Sequence, residues 1–166
     1  MRTATYADIN GACLEAISRA NLYQIRAADF FLILYSFGCR SEEARRFCSW
    51  EYLPATGEYL YQTAKTKVWR RVRPKYEPEE IYDIYAAQPA LLATYSYATW
   101  SRIFTWSTAP RIFYTAGKEL ELHLFRHRYA TYLRELGYTN AQIAADMAIT
   151  ASIAGHYAND SIFTNL

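Results

Sequence analysis

The stretch His123-Leu124-Phe125-Arg126-His127-Arg128-Tyr129-Ala130-Thr131 decides how this chain is read. It sits inside Leu120 to Leu136, which reads as the longest helix and stops at Gly137. In that helix His123 and Arg126, three residues apart, share one face. Working outward, Tyr157 follows Arg126 by 31 residues. Upstream, Arg40 comes directly after Gly38-Cys39 at the end of an apolar helix, and Lys65 opens a basic, hairpin-like segment. Two arginines, a lysine, a histidine and a late tyrosine make a set suited to attack on a phosphodiester without a metal ion.

With 166 residues, 52% of them hydrophobic and 20% charged, the chain predicts one domain over 1–166 with a real core rather than disorder. Sixteen tyrosines mean that each needs a positional argument before it acquires a role. A net charge of +2 says little about nucleic acid. The local distribution says more. Lys65, Lys67, Arg70, Arg71, Arg73 and Lys75 fall within eleven residues that contain no acid, and Glu77, Glu79, Glu80 and Asp83 follow at once. Cys13, Cys39 and Cys48 have no CxxC spacing, which predicts reduced thiols in a cytoplasmic protein and no zinc site. The apolar run Phe30 to Phe37 is too short to span a bilayer, and no apolar leader opens the chain, so no membrane partner is expected.

The periodicity predicts helices over Asp8 to Ala20, Gln24 to Phe37 (ended by Gly38) and Ser41 to about Trp50, with Ser41 as N-cap and Glu42 and Glu43 in the first turn. Pro54 to Gly57 is a turn, and Glu58 to Ala64 and Val68 to Arg73 read as short strands. Helices follow at Glu79 to Ala87 and Ala90 to Thr105, then an irregular stretch, Ser107 to Gly117. After the Leu120 helix, Thr139 caps Ala141 to Met147, and Thr150 caps Ser152 to about Asn159. The expected class is mostly α with a small antiparallel β-sheet, a hairpin or three strands, on its edge (α+β).

The chemistry of such a set is specific. Forked guanidinium groups meet phosphate oxygens in bidentate fashion, so Arg40 and Arg126 together can take the place of a metal ion around a pentacoordinate phosphorus. A tyrosine hydroxyl has a free pKa of about 10, and neighbouring cations favour the phenolate. Tyr157 is then the candidate nucleophile, Lys65 the candidate acid for the leaving sugar oxygen, and His123 a phosphate ligand or proton carrier.

The order and spacing resemble the tyrosine recombinases, or phage-type integrases. In that family the first arginine follows a Gly-x step and precedes an acid by three residues; Gly38-Cys39-Arg40-Ser41-Glu42-Glu43 is similar, with Glu43 as the buttress. The family lysine lies in a β-hairpin roughly two dozen residues on, and Lys65 is 25 residues beyond Arg40. The second box resembles His-x-Leu-Arg-His-x-Phe-Ala-Thr. The likeness covers about Asp8 to Asn159. It implies the recombinase catalytic-domain fold, with strand cleavage and rejoining through a 3′-phosphotyrosyl intermediate. It also implies double-stranded DNA as partner, a homo-tetramer on DNA with a monomer without it, and no cofactor. Two departures stand out. Where the family carries Leu-Gly-His, or Trp for that His, this chain has Met147-Ala148-Ile149, one residue closer than usual to the tyrosine. Ile149 offers no hydrogen bond, a loss worth ~2–4 kcal/mol at a transition state, and His156 is the candidate to compensate. The family's N-terminal DNA-binding domain is also expected to be absent from 1–166.

Simpler readings compete with several of these residues. An i,i+3 His–Arg pair is often just a surface pair, and Arg40 alone can be a helix-end charge. Lys67 competes with Lys65 for the acid's place, since a register shift exchanges them. Lys67, Arg70, Arg71 and Arg73 form a DNA-facing strand or merely a solvated one; His127 and Arg128 contact DNA or point away. Metal binding by His123, His127 and His156 is not expected, because no acidic third ligand shares the helix face. Two other functions stay open: a DNA-binding relative impaired at Ile149, and a topoisomerase-like DNA relaxer. Beyond Tyr157, Ile162, Phe163 and Leu166 are available to dock the C-terminal segment.

Overall fold

The computed structural model describes residues 2–108, 112–114, 122–159 and 163–165. Along them run β1 (Arg2–Thr3), α1 (Tyr6–Ala20), α2 (Ala27–Phe37), α3 (Ser41–Arg45), a 3-10 turn (Phe47–Ser49), β2 (Glu51–Leu53), β3 (Glu58–Gln62), β4 (Trp69–Val72), α4 (Pro78–Ala87), α5 (Leu91–Thr94) and α6 (Tyr97–Thr108). β5 (Ile112–Tyr114), α7 (Leu124–Glu135), α8 (Asn140–Met147), α9 (Ala151–Tyr157) and β6 (Phe163–Asn165) complete the order. The class is mostly helical with small antiparallel sheets.

Helix α2 is apolar on nearly every side, which suits a helix surrounded by others. It packs against α1, α4 and α7, and α6 closes on α1. Phe30 stacks on Trp100 of α6 with centroids 4.1 Å apart, and Phe31 lies parallel to Phe125 of α7 at 5.7 Å. Such aromatic pairs add to area burial. A second apolar cluster joins Tyr129 and Leu133 of α7 to Ile143 and Met147 of α8 and Ala154 of α9. α7 therefore belongs to both clusters, through Phe125 and Tyr129, and carries its polar residues between them.

Most expected helices are present with shifted ends. α2 starts at Ala27, not Gln24, because Arg26 is left-handed at φ +69°. α3 stops at Arg45 rather than Trp50, since Trp50 leaves the helix to stack on Tyr61 at 3.9 Å. The single helix expected over 90–105 is two, because the Ser96 hydroxyl accepts from Thr99 N–H at 3.2 Å and starts α6 afresh. Thr139 and Thr150 cap α8 and α9 as predicted. The start of the expected Leu120 helix, at 120–121, lies outside the described residues, as do 109–111 and 115–117 of the stretch expected to be irregular.

Strands β2, β3 and β4 form one antiparallel sheet in that order, settling the hairpin-or-three-strands question. Tyr59 faces Val72 and Tyr61 faces Arg70 across β3 and β4. A second sheet, β1-β6-β5, was not expected; its strands are two or three residues long and come from distant parts of the chain. Part of the irregular stretch is thus strand β5. Phe163 at the start of β6 is fully buried, while Ile162 and Leu166 lie outside the described residues. No helix among the described residues is long and apolar enough to cross a membrane.

Candidate functional site

Gly38 organises the first part of the site. It ends α2 in the left-handed region at φ +61°, and a Cβ there would lie 2.3 Å from Cγ of Tyr129. Only glycine permits both the backbone angle and that approach of α2 to α7. The Gly38 carbonyl accepts from Nη1 of Arg126 at 2.7 Å. Two residues on, Arg40 is the N-cap of α3, its backbone N–H donating to Oε1 of Glu43 at 2.8 Å and its Nη1 to Oε2 at 3.4 Å. Arg40 keeps 16% of its side chain exposed, whereas Glu43 keeps 2%. Oε2 of Glu43 also accepts from the N–H of Ala64 at 2.9 Å. One buried carboxylate therefore holds both Arg40 and the residue before Lys65.

The turn from β3 to β4 carries Lys65 and Lys67. Thr63 N–H donates to Val68 O at 2.7 Å and Lys67 N–H to Thr63 O at 3.0 Å, with Lys67 left-handed at φ +58°. Both lysines are exposed. The expectation that a strand register shift exchanges them is corrected: the tight turn holds both outside the strands.

On α7, Arg126 is 1% exposed, and its Nε and Nη2 have no hydrogen-bond acceptor among the described residues. Its guanidinium carbon lies 4.9 Å from the centroid of the Tyr157 ring. Burial, with the nearby Arg40 charge second, lowers its pKa below the ordinary arginine value, and Tyr157 opposes the shift. His123 is exposed, its ring 6.3 Å from that of Tyr157. Tyr157, half-buried at the last turn of α9, is thus brought beside Arg126 and His123. Arg40 joins them through its field, and Lys65 is tied to Arg40 by way of Ala64 and Glu43.

Other expected residues sit differently. His127 is 4% exposed, so its assignment to a DNA surface is corrected. Its Nδ1 lies 3.1 Å from the Tyr157 carbonyl oxygen, which can only accept, so Nδ1 carries the proton. Its ring packs between those of Tyr157 at 4.9 Å and Phe163 at 5.0 Å. Burial drives its pKa down to about 3. Arg128 is also buried rather than DNA-facing; Nη2 donates to Tyr35 O at 2.7 Å and the guanidinium lies 3.6 Å over the Tyr35 ring. His156 is exposed, 5.8 Å from the His127 ring. Ile149 packs on the apolar cluster of α7 and α8.

Strand alternation splits the basic run. Arg70 and Val72 point inward, and Trp69 and Arg71 point out. Arg70 is therefore corrected from DNA contact to buried support. Its Nε and Nη2 donate to the backbone and side-chain oxygens of Asp146, at 2.8 and 3.1 Å, and Nη1 to Tyr61 Oη at 2.9 Å. Asp146 also accepts from Lys75 at 2.9 Å and Tyr129 at 2.6 Å. Burial raises the Asp146 pKa, but Arg70 and Lys75 outweigh it and hold it below the usual carboxylate value. Tyr61 Oη lies 3.5 Å from Glu43. A polar chain thus runs from α8 through β4 and β3 to Glu43 and Arg40. Sequence reading missed Tyr61, Lys75 and Asp146; the inward register of Arg70 beside Val72 was the one signal available for it. Arg71 is exposed and paired with Glu58 at 2.8 Å, and exposed Arg73 donates to Thr56 O at 2.7 Å. Among the described residues no cluster of three or more His, Cys, Asp or Glu is arranged to hold a metal.

Compared with known proteins, the chain matches no family model, no curated protein and no solved structure.

Proposed function

We propose that the chain is a tyrosine-recombinase-type catalytic domain that breaks and rejoins double-stranded DNA. The observation that carries this reading is Arg126: a buried guanidinium with two donor nitrogens unused among the described residues, 4.9 Å from the Tyr157 ring and within the field of Arg40. A buried cation with unused donors is costly unless an anion completes it. A DNA phosphate supplies one. Arg126 and Arg40 hold its non-bridging oxygens, and the charge that builds there during attack strengthens both contacts. The Tyr157 hydroxyl gives its proton to His123 and its oxygen bonds to phosphorus, the bond to the 5′ oxygen breaks, and Lys65 gives that oxygen a proton. Attack by a 5′ hydroxyl on the phosphotyrosyl bond reverses the step, so no external energy source is required. Glu43 and His127 are positioning residues, one for Arg40 and the Lys65 turn, the other for the backbone of Tyr157. Assembly of four copies on paired sites belongs to the same proposal.

A second reading has an observation of its own. Ile149 packs as an apolar residue where the resembled family places a phosphate ligand, which favours a relative that binds DNA without cutting it. A nicked suicide substrate separates the two. The proposal expects a covalent protein–DNA adduct that Tyr157→Phe abolishes and Arg126→Lys slows about 100-fold or more. DNA retention by the wild-type chain with no adduct selects the binding protein instead.

A further inference from the structure

Away from Tyr157, a cleft of about 530 Å³ opens between the β2-β3-β4 sheet and α4, lined by Tyr52, Tyr59, Tyr82, Pro74, Glu79 and Asp83 among others. We propose that this cleft binds a linear aliphatic diamine or polyamine.

The walls fit the methylene chain of such a ligand, and the rim fits its charges. Tyr52 sits 5.0 Å from Tyr59 and 4.9 Å from Tyr82, ring centroid to centroid, so three aromatic rings meet at one corner. The faces of aromatic rings attract ammonium groups, and apolar walls cover the carbons between them. Glu79 and Asp83 are exposed, four residues apart on α4, and therefore stand on one face about 5–6 Å apart at their Cβ atoms. Neither carboxylate has an ion-pair partner among the described residues. The cations flanking Pro74 are engaged elsewhere, Arg73 with the Thr56 carbonyl and Lys75 with Asp146. Two ammonium groups on a short chain can reach one carboxylate each, which a single metal-like charge does not exploit.

A separate observation points to a ligand. Tyr59 lines the cleft and is 1% exposed, yet its hydroxyl has no hydrogen-bond partner among the described residues. A buried hydroxyl without a partner is costly, and an ammonium N–H donating to that oxygen, once the Tyr52 and Tyr82 rings shift to admit it, removes the cost. Cys39, Tyr61 and the α7 residues of the phosphate site take no part in this cleft, so the inference does not rest on DNA cleavage.

The test is calorimetric titration of the full chain with putrescine and spermidine at low ionic strength. Saturable one-to-one binding is expected. Glu79→Gln combined with Asp83→Asn should weaken it at least tenfold, and Tyr82→Ala, at an exposed position, at least threefold. Tyr59→Phe should weaken it too, with circular dichroism and the melting temperature reporting that each variant is folded. Butane-1,4-diol should not compete. Absence of saturable binding overturns the proposal, as does binding that these variants leave unchanged. Equal displacement by magnesium chloride and by sodium chloride at matched ionic strength supports a shaped organic-cation site; stronger displacement by magnesium overturns it in favour of an acidic patch. A lysine-rich peptide binding tenfold more tightly than spermidine also overturns it, in favour of a protein partner.

Discussion

Single residues carry much of the geometry around Arg126 and Tyr157. Gly38 leaves no room for a Cβ, which would lie 2.3 Å from the Tyr129 ring, and its φ is +61°. Gly38→Ala should therefore destabilise the fold by about 2–4 kcal/mol through overpacking plus backbone strain, read as a lower urea midpoint. His127 predicts a pH effect. Its folded pKa, about 3, lies below the ordinary 6.5, with burial as the main cause. The unfolded chain takes up a proton near pH 6.5 while the folded chain does not, so this contribution is complete above that value. As pH falls from 6.5 towards 3 it should be lost at up to about 1.4 kcal/mol per pH unit. Urea denaturation between pH 4 and 8 measures the slope, and His127→Asn should flatten it. An unaltered slope in that variant would show that the ring titrates normally.

At the scale of elements, the ends of α8 and the inward face of β4 matter most. Ala148 terminates α8 in the left-handed region at φ +57°, where a side chain is strained and glycine is not. Ala148→Gly is expected to raise stability by about 0.5–1 kcal/mol, visible as an increase in Tm. Strand β4 offers a comparison between neighbours. Arg70 is buried against Asp146 and Tyr61, whereas Arg71 is exposed against Glu58. Arg70→Met strands part of a buried network and should cost about 3 kcal/mol, while Arg71→Met should cost under ~1 kcal/mol. Equal costs in chemical denaturation would mean that the inward register is wrong. The expected helix and strand types were legible here because caps and periodicity are local: Thr139 and Thr150 announce α8 and α9. Their boundaries were not, because Trp50 leaves its helix to stack on Tyr61, a partner eleven residues away in sequence that the pattern alone does not reveal.

For the molecule as a whole, the exposed cations set the terms of the proposed DNA binding. Lys65, Lys67, Arg71 and Arg73 remain at the surface of the hairpin. If the proposed DNA binding uses them, log affinity should fall linearly with log salt, and each replacement by Ala should reduce the slope by about 0.9 for every phosphate that the side chain neutralises. Fluorescence anisotropy with a labelled duplex between 50 and 200 mM salt measures it; slopes identical to wild type would place the DNA elsewhere. Amino-acid order alone determined the helical class, the apolar α2 and the capping signals, because periodicity and caps act over a few residues; the candidate set Arg40, Lys65, His123, Arg126 and Tyr157 came from an order and spacing that resemble the tyrosine recombinases. The tertiary structure decided which basic residues are buried. Arg70, His127 and Arg128 look like their exposed neighbours in sequence, and only the packing of α7 and β4 against distant carbonyls, carboxylates and rings gives them partners. It likewise decided that Tyr157 comes to rest beside Arg126, since that approach joins residues whose helices meet only when the core between them closes.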